Sequence, residues 1–161
     1  GPDVGYLVGV GAAVQNGVGP QSAYQGAPVL GVTGDAGAAY SIMEFETLSK
    51  YRIPAIMVVY NNNAWGVWGS GAGRGAVRAQ HMYLFQENLR YDRIVEALGG
   101  NGEYVTSPDQ FTPALERSYA LAAKEGIPTL INCQGKKEFW TNQYPPSMPR
   151  HIAPGALAYY K

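Results

Sequence analysis

The sequence predicts an α/β fold, with an open, mostly parallel sheet and helices on both faces. Three observations carry this. APVLGVT (27–33) and AIMVVY (55–60) are short apolar runs of the kind that fully buried strands show. Between them AYSIMEFETLSKY (39–51) repeats apolar residues at helical spacing through Ile42, Phe45 and Leu48. Strand, helix and strand within residues 27–60 make a βαβ unit, whose two strands run parallel and are joined by a right-handed crossover. The same alternation recurs downstream.

The elements follow in order. The first strand ends in Gly34-Asp35-Ala36-Gly37, and Pro54 closes the helix before the second strand. Residues 66–79 (GVWGSGAGRGAVRA) read as a mobile loop. Residues 91–98 (YDRIVEAL) predict a helix, stopped by Gly99-Gly100. Residues 103–106 predict a short strand. Ser107-Pro108-Asp109-Gln110 has a helix-start pattern, with Ser at the cap, Pro first and Gln third. Pro113 lies inside that helix, so a kink or a later true start is expected before it runs to Lys124. TLINC (129–133) predicts another buried strand. The expected division is a domain over residues 1–134 and a tail over 135–161, rich in Pro and aromatics; there is no internal repeat.

The 161 residues suffice for one domain with a core, and 12 Lys+Arg balance 12 Asp+Glu. That balance argues against nucleic acid or an anionic membrane as main partner. No apolar run approaches the roughly 20 residues of a membrane span, and the opening GPDVGY has no basic signal-peptide region. Cys133 is the single cysteine, so no disulfide framework or thiolate zinc site is expected, in keeping with a reducing, cytoplasmic compartment. Of the 21 glycines, 15 fall in residues 1–37 and 66–75, and such clusters mark backbone that turns tightly or approaches a ligand.

Ligands of parallel α/β sheets bind outside the carboxyl ends of the strands. Two strands here end in polar groups, Asp35 and Asn61-Asn62-Asn63, with Asp35 and Asn62 27 positions apart. A carboxylate facing an amide oxygen is a hard, oxygen-only site of the kind Mg²⁺ prefers, with phosphate and water completing the octahedron. Backbone N–H groups after Asp35 favour an anion. The expected ligand is a Mg²⁺-bound diphosphate; the plainer reading makes Asp35 a helix cap and the asparagines a turn.

Gly34-Asp35, then this interval, then Asn61-Asn62 resembles the thiamine-diphosphate motif of thiamine-dependent decarboxylases, lyases and synthases. MEFET (43–47), Ile53-Pro54 and ALGGNGEYVTSPDQF (97–111) resemble stretches of 2-hydroxyacyl-CoA lyases and oxalyl-CoA decarboxylases. The resemblance covers about residues 5–134. It implies the thiamine-diphosphate-binding fold, with Mg²⁺ held by side-chain oxygens of Asp35 and Asn62 and by the carbonyl of Ala64. It implies that backbone around Gly34, Ala36, Gly37 and Trp65 holds the diphosphate. Gly5-Tyr6-Leu7 resembles the family's Gly-x-(Leu/Met) element: the Gly5 carbonyl accepts from the cofactor's exocyclic amine, and Leu7 wedges the cofactor into a bent shape. The bland alternative makes Leu7 a core leucine.

The chain departs from the pattern in having Ala36 for the motif's last glycine. It also lacks the catalytic glutamate, which in the family lies on a separate pyrimidine-binding domain, and the CoA-binding middle domain; the domain's own first strand and helix look truncated. The expectation is the cofactor domain of a carbon–carbon lyase or decarboxylase acting on a 2-hydroxyacyl-CoA or 2-keto acid. A peroxisomal location becomes an option in a eukaryote. The alternatives are an acetolactate-synthase-like carboligase, a cofactor-anchoring module inactive without the partner domain or subunit that supplies the glutamate, and a generic nucleotide-binding domain. A homo-oligomer is expected.

Other features weigh less. GVGAAV (9–14) lacks the third glycine and the preceding strand of a dinucleotide fingerprint. His81 and His151 are isolated; Arg74 and Arg78 sit in the glycine loop, where they meet an acidic substrate on closure or remain solvated. Glu44 and Glu46 fall on different helix faces, with Glu44 a candidate subunit contact. The tail from Lys136 to Trp140 begins a candidate active-site lid.

Overall fold

Strand β1 (Val29–Gly34) pairs in parallel with β2 (Ala55–Asn61), residue 29 against 55 and 34 against 60. A computed structural model describes residues 2–64 and 84–135. The chain divides into two compact units, residues 1–61 with 90–135, and residues 62–89 with 136–161.

The first unit holds a four-stranded, all-parallel sheet in the order β1-β2-β4-β3. Strand β3 is Asn101–Val105 and β4 is Thr129–Gln134. Helix α1 (Asp3–Gln15) leads through a 3-10 segment (Gly19–Tyr24) into β1. Helices α2 (Asp35–Ser41) and α3 (Phe45–Lys50) join β1 to β2, α4 (Tyr91–Ala97) precedes β3, and α5 (Phe111–Glu125) joins β3 to β4. Side chains alternate across a strand, and the two faces are covered differently. Ile56, Val58, Ile131 and Val105 pack with Ala114 and Ala122 of α5. Gly31 and Met57 face α1, where Leu7 lies. The α/β fold with helices on both faces is therefore present.

Four readings are corrected in detail. Strand β1 is an edge strand rather than a fully buried one. Leu30 and Val32 are 54 % and 71 % exposed, because α5 lies over β2, β4 and β3. Gly5, Gly9 and Gly11 lie not in tight turns but inside α1. Each costs about 1 kcal/mol in helix propensity, and only at Gly11 does packing require it, since a Cβ there would collide with Ile53. The helix after β1 begins at Asp35 rather than residue 39. It is broken by a 3-10 turn (Ile42–Glu44), where the Ser41 hydroxyl accepts from the Val4 N–H at 3.2 Å. Ser107 makes no side-chain cap; Gln110 Oε1 instead accepts from the Thr106 N–H at 2.9 Å. The later true start allowed for Pro113 is what occurs. A 3-10 turn (Pro108–Gln110) precedes α5, leaving Pro113 in the first turn, where its missing N–H costs nothing.

In the second unit, residues 62–64 and 84–89 are described. Ala64 and Leu84 form an antiparallel bridge, and the Phe85 N–H donates to the Asn63 carbonyl at 2.9 Å. Trp65, the 66–79 loop with Arg74 and Arg78, His81, His151 and the tail from Lys136 lie outside the described residues. No helix among the described residues is long and apolar enough to cross a membrane.

Candidate functional site

Pairing of Gly34 with Tyr60 brings the carboxyl ends of β1 and β2 side by side. Gly34 is extended, and a Cβ on it would meet nothing within 4 Å, so the backbone there is bare. Asp35 follows as the first residue of α2, only 3 % exposed, and its Oδ1 accepts from the Ala36 N–H at 2.8 Å. Gly37 is glycine for packing: a Cβ would run into Thr33 Oγ1 and the Asp3 carboxylate, which are hydrogen-bonded to each other at 3.0 Å. Burial, and then the charge of Asp35, push the Tyr91 phenol up to about 12.

Gly34, Asp35, Ala36 and Gly37 thus form one turn. Gly5 and Leu7 are not part of it. Both lie in α1, where carbonyls are directed along the helix toward the N–H four residues on. Leu7 is 4 % exposed and packs beside Gly31, midway along β1.

Asn62 and Ala64 belong to the second unit. Asn62 Oδ1 accepts from the Ala64 N–H at 3.2 Å across Asn63, which is left-handed at φ 58°. This is an Asx turn, and asparagine tolerates the left-handed position. An amide oxygen has two lone pairs, so the turn uses one of those on Asn62. Glu44 and Glu46 are both exposed.

The sequence reading missed a row of buried polar side chains in the first unit. Asn61 Nδ2 donates to Asn132 Oδ1 at 3.1 Å, and Asn132 Nδ2 donates to Asp92 Oδ1 at 3.1 Å. Arg90 Nε donates to both Asp92 oxygens at 2.9 and 3.1 Å, while its guanidinium lies 4.0 Å from the Tyr104 ring centre. Asn61, Asn132 and Asp92 are all essentially inaccessible. Burial alone would raise the Asp92 carboxyl, but the hydrogen bonds from Arg90 and Asn132 outweigh it and hold the pKa below the ordinary value. Orphaning one such partner costs about 1–3 kcal/mol. The available signal was Asn132 and Gln134 interrupting an apolar strand.

On the α5 face, a cleft of about 400 Å³ opens at the same strand ends, lined by Tyr60, Val105, Ser107, Phe111 and Cys133 among others. Burial pushes the Cys133 thiol up. Among the described residues no three His, Cys, Asp or Glu side chains gather as a metal cluster.

Residues 3–133 match the family model described as thiamine pyrophosphate enzyme, C-terminal TPP binding domain. A probable acetolactate synthase of Mycobacterium bovis is 34 % identical over 108 residues, covering 65 % of this chain and 18 % of the relative. A 2-hydroxyacyl-CoA lyase of Arabidopsis thaliana is 36 % identical over 110 residues (64 % and 18 %). An oxalyl-CoA decarboxylase of Escherichia coli K12 is 31 % identical over 112 residues (69 % and 19 %). The chain therefore spans less than a fifth of the length of these relatives. The solved structure of a thiamine diphosphate-dependent 4-hydroxybenzoylformate decarboxylase from Rhodococcus jostii RHA1 shares the fold, with a TM-score of 0.57 at 22 % identity, covering 74 % of this chain and 21 % of that one. The chain belongs to the family of C-terminal thiamine-pyrophosphate-binding domains of thiamine pyrophosphate enzymes.

Proposed function

We propose that this chain anchors Mg²⁺-bound thiamine diphosphate for a carbon–carbon lyase or decarboxylase. The observation that carries the reading is Asp35, a buried carboxylate at the head of α2, directly after a strand end whose backbone is bare at Gly34. The donor chemistry fits the cation: Asp35 carboxylate, Asn62 amide oxygen and Ala64 carbonyl are all hard oxygens. In this reading Asp35 and Asn62 bind Mg²⁺ through their side chains and Ala64 through its backbone. Backbone of Gly34, Ala36 and Gly37, with Trp65 beyond the Asx turn, holds the diphosphate. When bound, thiamine diphosphate supplies an electron sink for the carbanion left by carbon–carbon cleavage.

The catalytic glutamate comes from a pyrimidine-binding domain or subunit, and the working assembly is a homo-oligomer. The relatives named 2-hydroxyacyl-CoA lyase and oxalyl-CoA decarboxylase favour an acyl-CoA substrate, with a 2-keto acid as the other class the sequence motif suggests. The relative named acetolactate synthase favours a second reading, a carboligase.

Calorimetry of the whole protein with thiamine diphosphate, with and without Mg²⁺, tests the anchoring role. Binding should require the cation and be lost in Asp35→Ala; binding unchanged in that variant overturns the assignment. Product analysis with a 2-hydroxyacyl-CoA and with 2-keto acids separates cleavage from carboligation.

A further inference from the structure

Resting on the reading that Asn62 holds the cofactor's cation, we infer that Asp92, Asn132 and Asn61 form a buried positioning relay. It fixes the peptide plane that enters Asn62. An ionised carboxylate only accepts hydrogen bonds, and Asp92 takes those of Arg90 and of Asn132 Nδ2. With its nitrogen committed to Asp92, Asn132 must turn its oxygen toward β2, where Asn61 Nδ2 meets it. One carboxylate on α4 thereby decides the orientation of two amides, on β4 and β2.

The relay ends on backbone. The Asn61 carbonyl accepts from the Gly135 N–H at 2.7 Å and from Gln134 Nε2 at 3.1 Å. Asn61 Nδ2 also lies 3.4 Å from Gln134 Oε1. A trans peptide is planar, so the Asn61 carbonyl, the Asn62 nitrogen and the Asn62 Cα share one plane. A carbonyl held from two directions leaves that plane, and the start of the Asn62 side chain, little freedom to swing. Asp92 and Asn132 need not touch the cation; they act through Asn61. Asn132 and Gln134 fall only in the last three residues of β4, next to the strand end that leads to Asn62, whereas Leu130 and Ile131 before them are apolar.

Mg²⁺ requires near-ideal octahedral geometry, whereas Ca²⁺ accepts variable coordination. Loosening Asn62 must therefore cost Mg²⁺ more than Ca²⁺, a difference that general destabilisation does not produce. The test is calorimetry of thiamine diphosphate binding to the whole protein with each cation, for wild type, Asp92→Asn and Asn132→Ser. Mg²⁺-supported affinity should fall about 10-fold, in line with partners that orient metal ligands, and Ca²⁺-supported affinity should fall less. Equal losses with both cations, or no loss, overturn the relay. Wild type that binds with neither cation overturns the cofactor site, and the relay with it; wild-type binding with unmoved variants overturns the relay alone. If Asp92→Asn does not fold, Asn132→Ser decides, since it breaks the row between Asp92 and Asn61 and leaves the Gln134 and Gly135 hold on the Asn61 carbonyl in place.

Discussion

Asn132 on β4 donates its side-chain amide to the carboxylate of Asp92 on α4, 3.1 Å away, with both side chains shut off from water. The contact joins residues 40 positions apart and ties a helix to the centre of the sheet. An amide alone would be a poor reason to bury a carboxylate. Arg90, half-exposed and forked onto both Asp92 oxygens, makes the burial tolerable.

This relationship fixes a pH dependence. The folded-state pKa of Asp92 lies below its ordinary value, which for an unfolded chain is about 3.9. The stabilisation is therefore fully present above about pH 4 and fades as the pH falls through the lower, folded value. Asp92→Asn should lose about 1–3 kcal/mol at pH 7, and the gap to wild type should narrow in acid. Denaturant unfolding at pH 7 and below about pH 3 checks this; a gap that stays constant means the charge is not what holds the contact.

The close approach of α4 to β3 predicts opposite effects at two glycines. A Cβ on Gly102 would lie 2.6 Å from the Asp92 carbonyl oxygen and 2.9 Å from its carbon, both backbone atoms that cannot rotate away. Gly102→Ala should destabilise by about 1–3 kcal/mol. A Cβ on Gly9 in α1 would meet nothing within 4 Å, and helix propensity favours alanine there. Gly9→Ala should stabilise by about 0.5–1 kcal/mol. Thermal unfolding of both variants checks the pair, and two changes of the same sign would contradict the packing.

Cys133 lines the cleft on the α5 face with its thiol pushed up by burial. The thiolate is the reactive form, so alkylation near the ordinary thiol value of about 8.5 should be slower than for an unfolded control. It should accelerate only as the pH passes well above that value. Equal rates for folded and unfolded protein would mean that the side chain stands in solvent.

What was legible depended on whether an element's reason is local. Strands β2 and β4 are covered on both faces, so their apolar runs announce them. Helix α1 does have a stripe, Val4, Leu7, Gly11 and Val14, but one member is a glycine required by Ile53, and Val10, an apolar residue, faces outward. The break at Ser41 depends on Val4, 37 positions earlier. Asn61, Asn132 and Asp92 each look like a flaw in an apolar element, and only contacts across 71 and 40 positions make them a network. Asp35 stands directly after β1, a strand end that the apolar run before it announces locally, whereas the start of α2 at Asp35 rather than residue 39 is not announced by the apolar spacing.

Leu7 separates a core role from a cofactor role. It is 4 % exposed in α1, and a Cβ on Gly31 would come within 3.3 Å of Leu7 Cδ1 and 3.1 Å of Met57 Cε. The β1 glycine thus makes room for both side chains beneath the helix. Truncation should open a cavity there and cost about 2–5 kcal/mol, whereas Leu7→Met keeps volume and should cost less than about 1.5 kcal/mol. Neither change touches the turn at Asp35, so the folded protein should bind Mg²⁺ and thiamine diphosphate as wild type does. Melting temperature and calorimetric affinity together decide. Lower melting with unchanged affinity fits a core leucine, while unchanged melting with weakened cofactor affinity would return Leu7 to the role of a wedge.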